Sequence, residues 1–327
     1  MNTINIAFCI DKKYISQLCV SIKSIILSNA NEFISFFIIS DNLSEDDQQF
    51  IQKAVKEQNI KISFICINSN TFKDFPTLRH ISIAMYFRLL LPLILPQDIN
   101  KILYLDCDLI CVDNLRKFYD SNISEYALSA IRDSSNDDIR IFNRLDYPVV
   151  NGYFNSGVLL LNLDYWRKHK ITEKTISFIE ENPKLCIFPD QDALNKILNG
   201  KIVWADFRYN CTIAFFYYVK HFSEAKISKA FFSSINEAVK NPCIIHFAGS
   251  PKPWNTDYKT YFKTLYAKIY FSTFSRNLKL KYSFCGLKIL KWLLKQIFTT
   301  LHIKKFNDVI QEDSYSDFEQ ELIKKFE

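Results

Sequence analysis

Glycine is scarce in this chain: five residues in 327, so each is expected where the backbone needs unusual freedom or close approach. Cysteine gives no framework either. The nine cysteines are odd in number and contain no CxxC pair or zinc-finger spacing, and Cys107 and Cys111 lack an accompanying His or second pair. They read as reduced, mostly buried thiols of a cytosolic protein. No secretory signal opens the sequence, because the apolar run at residues 4–10 precedes its first positive charges, Lys12 and Lys13, the reverse of a signal peptide's order. No stretch offers ~18 uncharged apolar residues, which excludes a helix crossing a bilayer. Internal repeats and low-complexity linkers are also missing.

What is present is a large apolar inventory. With 48% hydrophobic residues, 29 Phe and 17 Tyr, the chain can bury a sizeable core in one large domain or two smaller ones, and disorder is excluded. The net charge of +6 is unevenly spread. Eleven Lys and Arg but no Asp or Glu lie between residues 259 and 305, so the remainder carries a negative balance.

The hydrophobic pattern predicts strands at 5–10, 33–40 and 61–67, separated by helices at 15–27 and 44–58, the latter opened by Ser44 with Asp47 three residues on. Ser82 is expected to cap a helix running through Leu91 and ending near Pro92, before a strand at 102–105. Alternating strands and helices indicate a parallel, doubly wound α/β sheet. Beyond residue 127 the pattern loosens into strands at 127–131, 157–163 and 244–247 and helices at 174–181 and 192–198.

The most informative stretch is Ile102-Leu-Tyr-Leu-Asp106-Cys107-Asp108. Side chains two apart on a strand point to one side, so Asp106 and Asp108 converge where a buried strand leaves the core, the place where open α/β sheets bind ligands. Two carboxylates there suit Mn²⁺ or Mg²⁺, ions that commonly hold phosphates. Spacing alone is weak: 22 Asp in 327 residues give about 1.5 Asp-x-Asp pairs by chance, and Asp190-Gln191-Asp192 is a second one. The context after a strand selects the first. A loop from His246 to Trp254 adds an imidazole able to complete a Mn²⁺ shell, Gly249 for close backbone approach to phosphate, and the charge of Lys252. Alone it is an ordinary turn with a core histidine; beside the carboxylate strand, a metal–diphosphate site explains it better. Arg88, on an otherwise apolar helix, must pair with a carboxylate or touch a ligand.

These features resemble glycosyltransferase family 8, in particular the bacterial lipooligosaccharide galactosyltransferases and, more distantly, glycogenin. The resemblance covers roughly residues 3–256. Its blocks are Ile6-Ala-Phe-Cys-Ile-Asp11, Arg79 to Arg88, Leu103 to Asp108, Tyr153-Phe-Asn-Ser-Gly157, Pro189-Asp-Gln-Asp192 and His246 to Trp254. It implies a GT-A fold, Rossmann-like with a mainly parallel central sheet flanked by helices, over residues 1–256. It further implies metal-dependent, retaining transfer of a hexose from a UDP-sugar, galactose ahead of glucose, to a lipid-linked oligosaccharide. Position by position, it puts Asp106, Asp108 and His246 on the metal. Cys9, Asp11, Lys13, Tyr14, Ile81, Arg88, Cys107, Gly249 and Lys252 go around the UDP. Asp133, Asn155, Asp190 and Gln191 go to the donor sugar. Lys13 departs from the amide that relatives tend to carry, and Cys107 is expected to contribute mainly backbone.

Residues 257–327 form a basic, aromatic extension. Leu287, Leu290, Leu293, Leu294, Ile297, Phe298 and Leu301 follow helical spacing, with Lys288, Lys291 and Lys295 on another face. Such a helix can lie on the inner face of the cytoplasmic membrane, or dock on the catalytic domain with a solvated Lys face. No nucleic-acid motif accompanies it. Two other functions fit the sequence less well. A haloacid-dehalogenase-type phosphatase usually has Thr or Val where Ile110 stands. A membrane-bound scaffold on a retired transferase fold would not need Asp106, Asp108, His246 and Lys252 intact.

Overall fold

The computed structural model describes residues 2–73, 75–76, 82–221, 230–255, 261–274 and 316–326. Its strands are β1 (Ile4–Cys9), β2 (Ile34–Ser40), β3 (Ile60–Cys66), β4 (Lys101–Leu105), β5 (Leu109–Cys111), β6 (Leu128–Arg132), β7 (Phe154–Asn162), β8 (Ile202–Trp204), β9 (Cys211–Thr212) and β10 (Ile244–His246). Among the described residues, the main sheet has seven strands in the order β3-β2-β1-β4-β7-β6-β8. β1 to β4 are mutually parallel, and β6 pairs parallel with β8. β7 alone runs against both of its neighbours, β4 and β6. The sheet is therefore mainly rather than wholly parallel.

The central strands are apolar on both faces because both faces are covered. In β1, Ile4, Ile6 and Phe8 pack with the helix Ile15–Ser28, whereas Ala7 and Cys9 pack with Tyr86 and Phe87 on the other side. β4 divides in the same way, with Leu103 and Leu105 on one face and Ile102 and Tyr104 on the other. This period of two fixes where Asp106 emerges. Its amide continues the ladder, donating to the Gly157 carbonyl at 2.8 Å.

A small second sheet, β5-β10-β9, brings distant sequence to this exit. β10 runs antiparallel to β5 with His246 opposite Leu109, and the Phe247 amide donates to the Asp108 carbonyl at 2.9 Å. β9 lies parallel on the other edge of β10.

Local signals set most element boundaries. Ser44 and Asp47 form a reciprocal capping box on the helix Glu45–Ala54, which is shorter than the sequence pattern suggests. Ser82 caps a 3-10 helix, Ile83–Leu90, rather than an α-helix. Pro92 does not end it: Pro92 sits in the first turn of the next helix, Leu91–Ile94, where its missing N–H is unneeded.

Parts of the C-terminal extension belong to the core. Leu265, Tyr266, Ala267, Ile269 and Tyr270 of the helix Lys263–Thr273 are buried in the cluster that holds Ile15–Ser28. The helix Ser316–Lys325 is tied to it, with Glu319 Oε1 accepting from the Leu265 amide at 2.8 Å. The apolar and lysine faces expected at 287–301 lie outside the described residues. Among the described residues no helix is long and apolar enough to cross a membrane.

Candidate active site

One carboxylate oxygen each from Asp106 and Asp108 and a ring nitrogen of His246 lie within 4.8 Å of one another. Each is held differently. Asp106 Oδ1 accepts from Tyr104 Oη at 2.6 Å and from Arg88 Nη2 at 3.0 Å, while Oδ2 stands 4.0 Å from His246 Nε2. Asp108 Oδ1 lies 3.2 Å from His246 Nε2, and its Oδ2 accepts from the Lys252 ammonium. Burial alone would push the Asp108 carboxyl up, but Lys252 and His246 together hold it well below the usual carboxylate range. Lys252 also donates to the Phe247 carbonyl at 2.7 Å.

The remaining contacts of His246 and Asp106 come from residues that sequence spacing did not single out. His246 Nδ1 lies 2.8 Å from Asn210 Oδ1. Asn210 ends the 3-10 helix Phe207–Asn210, and the parallel pairing of β9 with β10 sets it beside the imidazole. Gly157 in β7 faces the same point. A Cβ there would clash with the His246 ring and come 2.8 Å from Asp106 Oδ2, so only glycine leaves room between the donors.

Arg88 is buried, and each of its three side-chain nitrogens donates. It donates through Nε to Met85 O at 2.8 Å, Nη1 to Ser156 O at 2.6 Å and Nη2 to Asp106. Asp190 Oδ2 stands 3.3 Å from Nη1, and the guanidinium lies 4.3 Å over the Tyr104 ring. Desolvation raises the Asp190 carboxyl despite Arg88 beside it, with Asp106 adding to the rise.

Asp133, Asn155 and Gln191 meet one another. Asn155 Nδ2 donates to Asp133 Oδ2 at 3.0 Å and to Gln191 Oε1 at 3.3 Å, and the Ser156 amide donates to the same Gln191 oxygen at 2.9 Å. Asp192 faces away from this group. It accepts from Arg144 through both oxygens, from Tyr153 Oη at 2.7 Å and from the Phe188 amide at 2.7 Å, and so anchors the helix Pro189–Ile197.

Of the residues assigned to the nucleotide, Cys9 and Tyr14 lie within electrostatic reach of Asp106. Burial pushes the Tyr14 phenol up to about 12, with Cys107, Asp108, Asp11 and Asp106 adding to the rise. Tyr14 also meets Trp254 edge-on at 6.3 Å. Cys9 is buried at the end of β1, and desolvation raises its thiol. Asp11 caps the turn after β1 by accepting from the Lys13 amide at 2.7 Å, and Lys13 itself is exposed. The Cys107 carbonyl accepts from Ser21 Oγ at 2.7 Å. Gly249 has φ +77°, but a Cβ there would meet nothing within 4 Å. The left-handed backbone by itself favours glycine at this position. Ile81 lies outside the described residues.

Residues 5–258 match the profile of glycosyl transferase family 8. The chain belongs to this family. Among its relatives, the lipopolysaccharide 1,2-glucosyltransferase of Escherichia coli K12 is 30% identical over 77% of this chain and 73% of its own length. The lipopolysaccharide 1,3-galactosyltransferase of Salmonella typhimurium LT2 is 27% identical over 77% of this chain and 73% of its own. The galactosyltransferase LgtC, solved with donor and acceptor sugar analogs, superposes with a TM-score of 0.75 at 27% identity, covering 82% of this chain and 95% of that one. The fold is accordingly that of a GT-A family 8 glycosyltransferase.

Proposed function

We propose that this family 8 enzyme is a metal-dependent, retaining hexosyltransferase that moves galactose from UDP-galactose to a lipooligosaccharide- or lipopolysaccharide-type glycan. The observation that carries the reading is the convergence of Asp106, Asp108 and His246 within 4.8 Å, beside Lys252. Two carboxylates and an imidazole are a donor set that suits Mn²⁺ or Mg²⁺, and Gly157 keeps the space between them clear. These three residues would hold the cation, which when bound supplies positive charge to the diphosphate of the leaving UDP.

The other roles follow from position. Lys252 brings a second positive charge for the diphosphate. Cys9, Asp11, Lys13, Tyr14, Ile81, Cys107 and Gly249 would line the nucleotide. Asp133, Asn155, Asp190 and Gln191 would hold the donor sugar, and Arg88 fixes Asp106 and Asp190 relative to each other. A nucleophile needs a lone pair free to aim at the anomeric carbon. Gln191 Oε1 already accepts from two donors, the Ser156 amide and Asn155. That favours same-face attack by the acceptor hydroxyl over a double displacement through Gln191.

UDP-glucose is the second reading, favoured by the 30% identical glucosyltransferase. We also propose that the basic extension attaches the enzyme to the inner face of the cytoplasmic membrane, a reading supported by its eleven Lys and Arg without an acidic residue between 259 and 305. A screen of UDP-sugars for slow hydrolysis with Mn²⁺ tests the central claim. Turnover of UDP-galactose above UDP-glucose is expected. The reverse order selects the second reading, and no turnover of any UDP-sugar, with no joint effect of UDP and Mn²⁺ on Tm, would return the chain to a retired scaffold.

A further inference from the structure

We propose that Asn210 is a positioning residue. It fixes His246 with the ring proton on Nδ1 and Nε2 turned towards Asp106 and Asp108, and it ties that ring to the residues assigned to the donor sugar. The inference rests on the metal site proposed above.

A backbone N–H can only donate, whatever its side-chain partner. The Gly157 amide donates to Asn155 Oδ1 at 3.0 Å, which fixes which end of the Asn155 amide is oxygen. Asn210 Nδ2 donates to that same oxygen at 3.0 Å, so the other end of Asn210 is its carbonyl oxygen. This oxygen can only accept, and it stands 2.8 Å from His246 Nδ1. The imidazole must therefore carry a proton on Nδ1, and in its neutral form Nε2 keeps its lone pair. Nε2 is the nitrogen that faces both carboxylates.

Asn210 is 1% exposed and His246 2%, so solvent has little access to replace the bond if it is lost. The far end of Asn155 donates to Asp133 and Gln191. One buried carboxamide thus registers a proposed metal ligand against the sugar pocket, the kind of outer contact that commonly sets ligand orientation.

The test uses the full chain with Asn210→Leu, which keeps the volume but no polar atom, and Asn210→Asp, which keeps the acceptor for Nδ1. Calorimetric titration with Mn²⁺ in saturating UDP is expected to show about 10–100-fold weaker binding for the Leu variant. The Asp variant keeps the acceptor for Nδ1 but loses the donor to Asn155 Oδ1, so its binding should fall between wild type and the Leu variant. Imidazole ¹⁵N shifts of the metal-free protein, assigned among its five histidines by His246→Gln, should report a protonated Nδ1 on His246. A bare Nδ1, Leu-variant binding equal to wild type, or an Asp variant as weak as the Leu variant would each overturn the assignment. Should the Leu variant not fold, the Asp variant and the ¹⁵N spectrum decide. Failure of the broader reading looks different: wild type itself would take up no Mn²⁺ with UDP, while the ¹⁵N spectrum still judges Asn210.

Discussion

Arg88 Nη2 donates to Asp106 Oδ1 at 3.0 Å, and that bond decides which oxygen Asp106 can offer. With Oδ1 also taking the Tyr104 hydroxyl, Oδ2 is left to face His246. The same guanidinium stands 3.3 Å from buried Asp190. Removing one partner of a buried charge cluster leaves the others uncompensated. We expect Arg88→Met to cost about 3–5 kcal/mol of stability, measured by urea unfolding. Adding Asp190→Asn should recover part of the loss, because a neutral amide does not require a cation. A Met variant as stable as wild type would remove Arg88 from this role.

Gly157 gives a sharper test of the space between the donors. Gly157→Ala places a methyl against the His246 ring and Asp106 Oδ2, and overpacking of this kind costs about 1–3 kcal/mol. The expected signature is loss of the joint rise in Tm produced by UDP with Mn²⁺, in a protein that still folds. A variant that keeps the full rise would mean that the cation does not occupy this space.

Asp108→Asn preserves shape and removes charge. Asp108 is held ionised by Lys252 and His246 against the pull of its burial, and the amide cannot replace a carboxylate as a hard anionic ligand. Turnover should fall by at least about 100-fold, and metal-dependent UDP binding should vanish with the far-UV circular dichroism unchanged. Retained turnover in this variant would take the metal out of the mechanism.

The elements legible in the sequence are those whose signal is local. The apolar runs of β1, β2 and β4 announce buried strands, Ser44 and Asp47 mark a helix start, and the acids after Leu105 mark a strand exit. What stayed hidden depends on pairing between distant segments. Nothing local says that β7 runs against β4, or that β9 sets Asn210 beside His246. Arg88 on an apolar helix announced that it needed a partner, but not that Asp106 and Asp190 would share it. The second Asp-x-Asp pair could not be told from the first by spacing. Structure divides its members, with Asp190 beside Arg88 and Asp192 bound to Arg144. The chemistry of its loop suggests joining His246 to the carboxylates and the family resemblance assigns it there, but no periodicity does.

Away from the site, Glu32 gives a pH-dependent test of the fold. Its Oε2 accepts from Arg116 Nε at 3.1 Å and from Nη2 at 2.5 Å, and its Oε1 from Asn114 at 3.3 Å. Hydrogen bonding to Arg116 outweighs burial, so the carboxyl lies below the usual glutamate range. The folded value is depressed, so the stabilisation is fully present above the unfolded pKa of about 4.3 and is lost as pH falls through the folded value. Glu32→Gln should therefore cost about 2 kcal/mol at neutral pH, the scale of hydrogen bonds to a charged group. The gap between variant and wild type should close as pH falls below ~4. Urea unfolding of both proteins from pH 7 down to about pH 3 reads this directly. A gap that stays constant across that range would mean that Glu32 contributes through packing rather than through its charge.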